Sequence, residues 1–211
     1  MRTFITRLAT VVATAAATVT VGLAGAAPAH ATDGSTYAAP GCPTRTTSPM
    51  LARFGDDREY FAVPNGGFST LSAGWSGFHS FSPENEPWYV NPASWTTSLA
   101  LFRGDSARTA SLCVGEGEDS FRFFYKGTGM PGTRLTVKVT ITSDTGTYVT
   151  STVVDASPYG WRLSPSLRVP NYATDKIQTI TIGFSNTSTG PSMLPVLVDD
   201  VLIDPWRSAG F

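Results

Sequence analysis

The chain reads as an all-β protein, an antiparallel β-sandwich of jelly-roll type. Three observations predict it. Apolar and polar residues alternate in many short runs, Gly, Pro, Asn and Asp punctuate those runs, and no helical apolar period outlasts two turns. The last long run, Val196 to Ile203, is closed by Asp204-Pro205, and the rest is organised around it. Its parity breaks at Asp199-Asp200, with Val196 and Val198 on one face and Val201 and Ile203 on the other. A β-bulge at the pair restores a single buried face and turns one carboxylate toward the opening stretch of the domain. This strand is expected to pair near Tyr60 to Val63.

The first 31 residues are set apart. Arg2 and Arg7 precede an Ala/Val/Thr-rich apolar run from Leu8 to Leu23, and Ala29-His30-Ala31 offers the small residues a signal peptidase reads. Residues 1–31 are therefore expected to be a signal peptide, leaving 180 of the 211 residues and a secreted, soluble product. The run is short, Thr-studded and without a basic stop beyond it, which argues against a membrane span, and no later stretch approaches spanning length. Removing Arg2 and Arg7 from the 15 basic residues leaves 13 against 16 acidic ones, a charge of −3. That balance gives no reason to expect nucleic acid or an anionic membrane surface as partner.

Residues 32–49 read as an extended Pro/Thr-rich leader, and residues 50–211 as the sandwich. Cys42 and Cys113 form an even pair in an oxidising compartment and are expected to bridge. Closing that loop of 71 residues is worth about 4 kcal/mol and ties the leader to the domain.

In order, Tyr60–Val63 is a short strand stopped by Pro64-Asn65-Gly66-Gly67. The chain is irregular from Phe68 to Trp88. Leu99 and Leu101 then alternate, and Ala107 to Val114 follows the turn Gly104-Asp105. Phe121, Phe123 and Tyr125 share one face, with Arg122, Phe124 and Lys126 opposite. Leu135, Val137, Val139 and Ile141 alternate with Thr136, Lys138, Thr140 and Thr142, and Asp144-Thr145-Gly146 turns that strand into Tyr148–Val154 as a hairpin. Trp161–Leu163 and Leu167–Val169 are short strands. Ile180, Ile182 and Phe184 mark the next long one. An immunoglobulin-like sandwich would want its bridge between two core strands, whereas here one cysteine lies in the leader, so a jelly roll is preferred.

Several motifs carry a resemblance. Asn65-Gly66-Gly67-Phe68 with Gly74-Trp75, Phe123 to Gly129, Gly160-Trp161 and Val198-Asp199-Asp200-Val201 resemble, in that order, galactose-binding-like jelly rolls, a layout shared by many carbohydrate-binding modules. A closer likeness, in Phe54-Gly55-Asp56, Asn85-Glu86-Pro87, Leu112-Cys113-Val114, Arg122-Phe123-Phe124 and the Asp-Asp-Val ending with Asp-Pro, is to small exported actinobacterial proteins of unassigned function. It bears on fold alone. The first resemblance implies a structural calcium where the first strand meets the last. Ser69 stands where an acid would be expected, leaving Asp199, Asp200 and backbone carbonyls as ligands. The alternative is that the pair caps the bulge through backbone N–H groups.

Catalytic signatures are lacking. His79 is the one histidine left after cleavage, and no nucleophile elbow, zinc motif or phosphate loop appears. Glycosidase chemistry would need two carboxylates, one with a raised pKa. Glu84, Glu86, Glu116, Glu118 and Asp119 all fall in turns and read as solvated. The chain is read as a non-enzyme.

Sugar binding asks for an exposed aromatic platform beside polar groups. The outer face of the Phe121 strand offers Arg122, Phe124 and Lys126, expected beside Thr136, Lys138 and Thr140. The alternative is that the leader or the loop Phe68–Pro87 covers Phe124. Among loop aromatics, Trp88 and Trp161 read as rim-of-core residues, Trp95 and Tyr159 as exposed. The expectation is a secreted, non-catalytic module that binds an extracellular glycan by stacking on Phe124, Trp95 or Tyr159, with Arg122 and Lys138 as hydrogen-bond donors. The rival is a structural or protein-interaction domain of the cell envelope or secretome. No cofactor beyond calcium is expected, and nothing in the sequence specifies an oligomeric state.

Overall fold

The alternation read from the sequence becomes two antiparallel sheets packed face to face. A computed structural model describes residues 35–37, 39, 41–91, 97–190 and 193–205. The strands are β1 (Ser35–Tyr37), β2 (Arg45–Thr47), β3 (Phe61–Ala62), β4 (Trp75–Phe78), β5 (Ser80–Ser82), β6 (Ser98–Leu101), β7 (Ser106–Thr109), β8 (Leu112–Val114), β9 (Ser120–Gly127), β10 (Arg134–Ser143), β11 (Gly146–Asp155), β12 (Gly160–Leu163), β13 (Leu167–Arg168), β14 (Gln178–Asn186) and β15 (Val196–Asp204). The first sheet runs β12-β9-β15-β6-β5, with β13 on β9 and β3 on β15. The second runs β11-β10-β14-β7-β4, with β8 on β14. Residues 1–31, the expected signal peptide, lie outside the described residues.

Strand β15 is buried along its whole length and sits between β9 and β6. Its register against β9 slips between Asp199 and Leu202, and Asp200 takes φ 42°, a left-handed conformation that Asp tolerates better than branched residues do. The slip puts Val196, Val198, Val201 and Ile203 together in the main core, as the parity of the sequence requires. Beyond the bulge, Leu202 and Ile203 pair with Ala62 and Phe61 of β3. Gly66 follows that strand, and a Cβ there would lie 2.9 Å from the Val201 carbonyl oxygen. Only a residue without a side chain lets the Asn65-Gly66-Gly67 turn approach the bulge so closely.

The core between the sheets takes Phe121, Phe123 and Tyr125 from β9, Leu135 to Ile141 from β10, and Ile180, Ile182 and Phe184 from β14. The expected β10–β11 hairpin forms on the two-residue loop Asp144-Thr145. Cys42 and Cys113 are bridged, and the described part of the leader is a two-stranded ladder, β1 with β2, rather than an uninterrupted extended arm.

The outer face of the first sheet corrects an expectation. Phe124 is fully buried there, in a second cluster with Leu51, Tyr60 and Leu202. Phe54 and Trp88 pack against its ring, tilted, at centroid distances of 5.5 and 5.3 Å. The cover comes from the 3₁₀ turn Ala52–Phe54 and from Trp88, where a lone aromatic on an open sheet would otherwise face water. Phe124 is therefore a packing residue and offers no stacking platform.

The Asp pair is the other correction. Both carboxyl groups are completely buried. Asp199 accepts the Asp200 N–H through Oδ1 at 2.9 Å and the Glu86 N–H through Oδ2 at 3.2 Å. Glu86, also completely buried, accepts the N–H groups of Trp88 at 2.6 Å and Val90 at 2.7 Å. With both Asp199 oxygens turned to backbone N–H groups, and no cluster of three or more acid, His or Cys side chains placed to hold an ion among the described residues, the pair does not fit a calcium site. It caps the bulge and pins the covering loop. Nor is Glu86 a solvated turn carboxylate. The same holds for Glu118, buried and bonded to the Gly115 N–H at 2.9 Å.

Two predictions follow from this packing. Phe124→Ala, which leaves a cavity under Trp88, should cost about 3–5 kcal/mol in denaturant unfolding, and an unchanged midpoint contradicts the covered cluster. Burial, reinforced by the charges of Asp200 and Glu86, pushes the Asp199 carboxyl up to about 9. The folded state thus keeps a proton that the unfolded chain releases. That contribution is whole below the free carboxylate pKa and fades as pH climbs toward about 9. Glu86 and Glu118, also raised by burial, act with the same sign. Tm should fall from neutrality toward alkaline pH, and Asp199→Asn should flatten that slope. An equally steep fall in the variant contradicts a protonated Asp199.

Candidate functional site

The strand that follows β9 does not lie beside it. After Gly127 the chain crosses to the second sheet, and β9 is flanked instead by β15 and β12. Arg122 and Lys138 consequently occupy opposite outer faces of the sandwich, and the single platform expected from the sequence does not exist. Arg122 is already engaged. Its guanidinium donates to Asp56 Oδ2 at 2.8 Å and to the Ser164 carbonyl at 3.0 Å. Asp56 also binds Arg58 and the Tyr60 hydroxyl, and Arg58 reaches the buried Asp204 at 2.6 Å. Burial works against the Asp56 charge, but hydrogen bonds from Arg58, Tyr60 and Arg122 overcome it and hold its pKa well below the usual carboxylate range. This belt fastens the cover over the first sheet and leaves Arg122 no role as a free donor.

The second sheet is open on its outer face. Strand register lines up three cross-strand rows there. One is Ser151, Lys138, Gly183, Arg108 and Ser76. A second is Val153, Thr136, Ser185, Ser106 and Phe78, and a shorter third is Val149, Thr140 and Thr181. Residues paired across antiparallel strands point the same way, so each row is one line of side chains on the surface. Gly183 sits mid-sheet with no side chain, and its neighbours in the row are Lys138 and Arg108. The resulting groove has a cavity volume of about 370 Å³ lined by those two cations and the hydroxyls of Ser76, Ser106, Thr140, Thr181 and Ser185. Arg108 Nε donates to Ser76 Oγ at 3.2 Å, which fixes the guanidinium along the groove wall. Among the described residues, no carboxylate lines it. Phe78, 80% exposed on the edge strand β4, stands beside Ser106 at the rim.

The alternation in the sequence placed Lys138 and Thr140 on an outer face but did not reveal Arg108, Ser106 and Phe78 beside them. The signal for the first two was present, since Ser106 and Arg108 alternate with Ala107 and Thr109. Phe78 lies in a Ser/Gly-rich stretch with no readable period.

A second concavity of about 260 Å³ lies at one end of the sandwich, lined by Glu84, Lys126, Tyr159 and Leu194 among others. Tyr159 is 68% exposed, as expected, and its ring centroid lies 5.1 Å from Lys126 Nζ. Glu84 Oε1 accepts from Lys126 at 2.5 Å and from the Trp161 indole at 3.1 Å. Burial opposes the Lys126 charge, but Glu84 outweighs it and leaves the pKa raised. Trp88 and Trp161 pack against the covered cluster as rim residues, again as expected. Trp95 lies outside the described residues. His79 packs edge-on against Phe81 at 5.3 Å and lines neither concavity.

Chemically, the groove can hydrogen-bond a hydroxylated ligand from several sides and the end concavity can stack a flat apolar face. Among the described residues, neither brings two carboxylates together, since Glu84 is the one acid lining either of them.

No protein-family model matches the chain, and no curated protein matches it. Among solved structures, a family 16 carbohydrate-binding module, module 2, aligns over 68% of this chain and 99% of its own at 14% identity and a TM-score of 0.45. A family 61 carbohydrate-binding module in complex with β-1,4-galactotriose aligns over 67% of this chain and 96% of its own at 18% identity and a TM-score of 0.38. The enzymatically active domain of tailspike protein 4 of bacteriophage CBA120 aligns over 68% of this chain at 13% identity and a TM-score of 0.43, and the chain spans 21% of its length.

Proposed function

We propose that this is a secreted, non-catalytic binding module for an extracellular carbohydrate, seated in the groove over Gly183. The observation that carries the reading is the gap left by that glycine between Lys138 and Arg108, walled by hydroxyls on a face that nothing else covers among the described residues. A sugar presents many hydroxyls and a C–H face. Lys138 and Arg108 donate to the hydroxyls, the Ser and Thr side chains donate or accept, and Phe78 offers its ring at the rim. Tyr159 is proposed as the stacking ring of a separate contact at the end concavity. A groove with two cations and no acid accommodates neutral sugars and favours those carrying a carboxylate. The bridge between Cys42 and Cys113 suits an oxidising, extracellular setting. The non-catalytic reading is supported by the lack of paired acids in either concavity, because Glu86 and Glu118 are spent on backbone N–H groups.

Gly183 supplies a sharp test. A Cβ added there meets nothing closer than 3.7 Å, and its backbone is ordinary strand, so Gly183→Val should fold with undiminished Tm while filling the groove. In affinity electrophoresis against a panel of neutral and uronate-bearing polysaccharides, the wild type should be retarded by at least one. Gly183→Val should run free, and Lys138→Ala or Arg108→Ala should weaken retardation about tenfold, the worth of one charge-assisted hydrogen bond. Full retardation of Gly183→Val, or none of the wild type on any polysaccharide, overturns the reading.

A further inference from the structure

The outer edge of the second sheet is β11, ten residues paired on one side with β10 and, among the described residues, with no strand on the other. The other edge strands of the two sheets are short, four residues at most: β4 and β12 with four, β5 and β8 with three, β3 and β13 with two. Short edges are one of the ways proteins block edge-to-edge pairing, and charge, proline and bulges are others. Strand β11 uses none of these. From Thr147 to Val154 it carries no charge, no proline and no glycine, its register with β10 has no slip, and Val149 and Val153 are 58% and 56% exposed.

The hydrogen-bond phase of this edge follows from its turn. A two-residue loop can close only on a hydrogen-bonded pair, here Ser143 with Gly146. Alternation from that pair sends the N–H and C=O groups of Tyr148, Thr150 and Thr152 toward β10. Those of Thr147, Val149, Ser151 and Val153 point out to the free edge. Antiparallel pairing between two copies of one strand requires residues of the same parity to meet across the two-fold axis. Centred on Ser151, the axis brings outward groups opposite outward groups. It sets Val149 directly against Val153 of the second copy, and the reverse, so each exposed valine covers the other. Thr147 meets Asp155 of the second copy, so no like charges oppose each other.

We propose that two copies of this chain associate through β11, antiparallel about a two-fold axis at Ser151, into one continuous sheet across both molecules. The pattern is self-complementary at three levels: hydrogen-bond phase, apolar side chains and charge. Pairing closes the edge, so assembly stops at two. It also brings two copies of the open outer face into one surface, an arrangement that lets both grooves meet a single extended polymer.

The experiment is sedimentation velocity on the exported protein over a concentration series, with far-UV circular dichroism as the check on folding. Ser151→Pro removes an N–H that points to the free edge and leaves the ladder to β10 intact. Val149→Lys places a charge on the edge without touching the backbone. Wild type should show twice the mass of one chain, and both variants the mass of one chain with an unchanged spectrum. Should Ser151→Pro disturb the spectrum, Val149→Lys decides. A wild type that stays monomeric at the highest soluble concentration, an open-ended assembly, or a dimer that survives a folded variant overturns the proposal. Polysaccharide retention is read separately on the monomeric variant, so failure of the dimer and failure of sugar binding are told apart.

Discussion

One inserted residue in β15 determines what each face of this sandwich becomes. Without the bulge at Asp199-Asp200, Val201 and Ile203 would point away from the core that Val196 and Val198 already occupy. The slip keeps all four inside, with a left-handed backbone at Asp200 and the Val201 backbone turned to Gly66 and Val63 rather than to β9. The carboxyls that come with the bulge are buried, where an ionised, unpaired acid is too costly to keep. The solution is mutual. Asp199 takes two backbone N–H groups, its carboxyl pKa raised by burial, and Glu86 holds the backbone of Trp88 and Val90.

The consequence is an asymmetry between the two outer faces. By pinning Trp88, the bulge cluster seats one wall of the cover over Phe124, and the Asp56 belt with Arg58 and Arg122 seats the other. The first sheet is thereby covered over Phe124, and Arg58 and Arg122 are held there as structural charges. Among the described residues, the second sheet has no such cover. Its outer rows are polar, with a glycine gap, two cations and an aromatic rim. The exposed polar surface among the described residues therefore lies on that sheet, which also carries the long edge strand β11.

Much of the fold was legible because period two is a local signal. The core faces of β9, β10 and β14, the β10–β11 hairpin, the bulge and the pairing of β15 with β3 could all be read from residue spacing. Contacts between distant segments could not. Strands next to each other in sequence usually neighbour each other in space, and β9 followed by β10 reads as a hairpin, yet the chain changes sheets between them. That single crossing separated Arg122 from Lys138. Phe124 looked exposed because its cover comes from residues 51–54 and Trp88, which carry no periodic pattern. Glu86 looked solvated because a turn in sequence gives no hint that a buried bulge lies beneath it. Lys138 and Tyr159 were found because their exposure follows from local alternation and from a Pro/Gly setting.

Hydroxyl-radical footprinting read out by mass spectrometry tests the division between a sealed and an open face most directly, because it reports side-chain exposure residue by residue in the native protein. The account predicts ready oxidation at Phe78 and Tyr159, and protection of Phe124, Phe121 and Phe123 until the protein unfolds. Oxidation of Phe124 at a rate like that of Phe78 in the native state would contradict it.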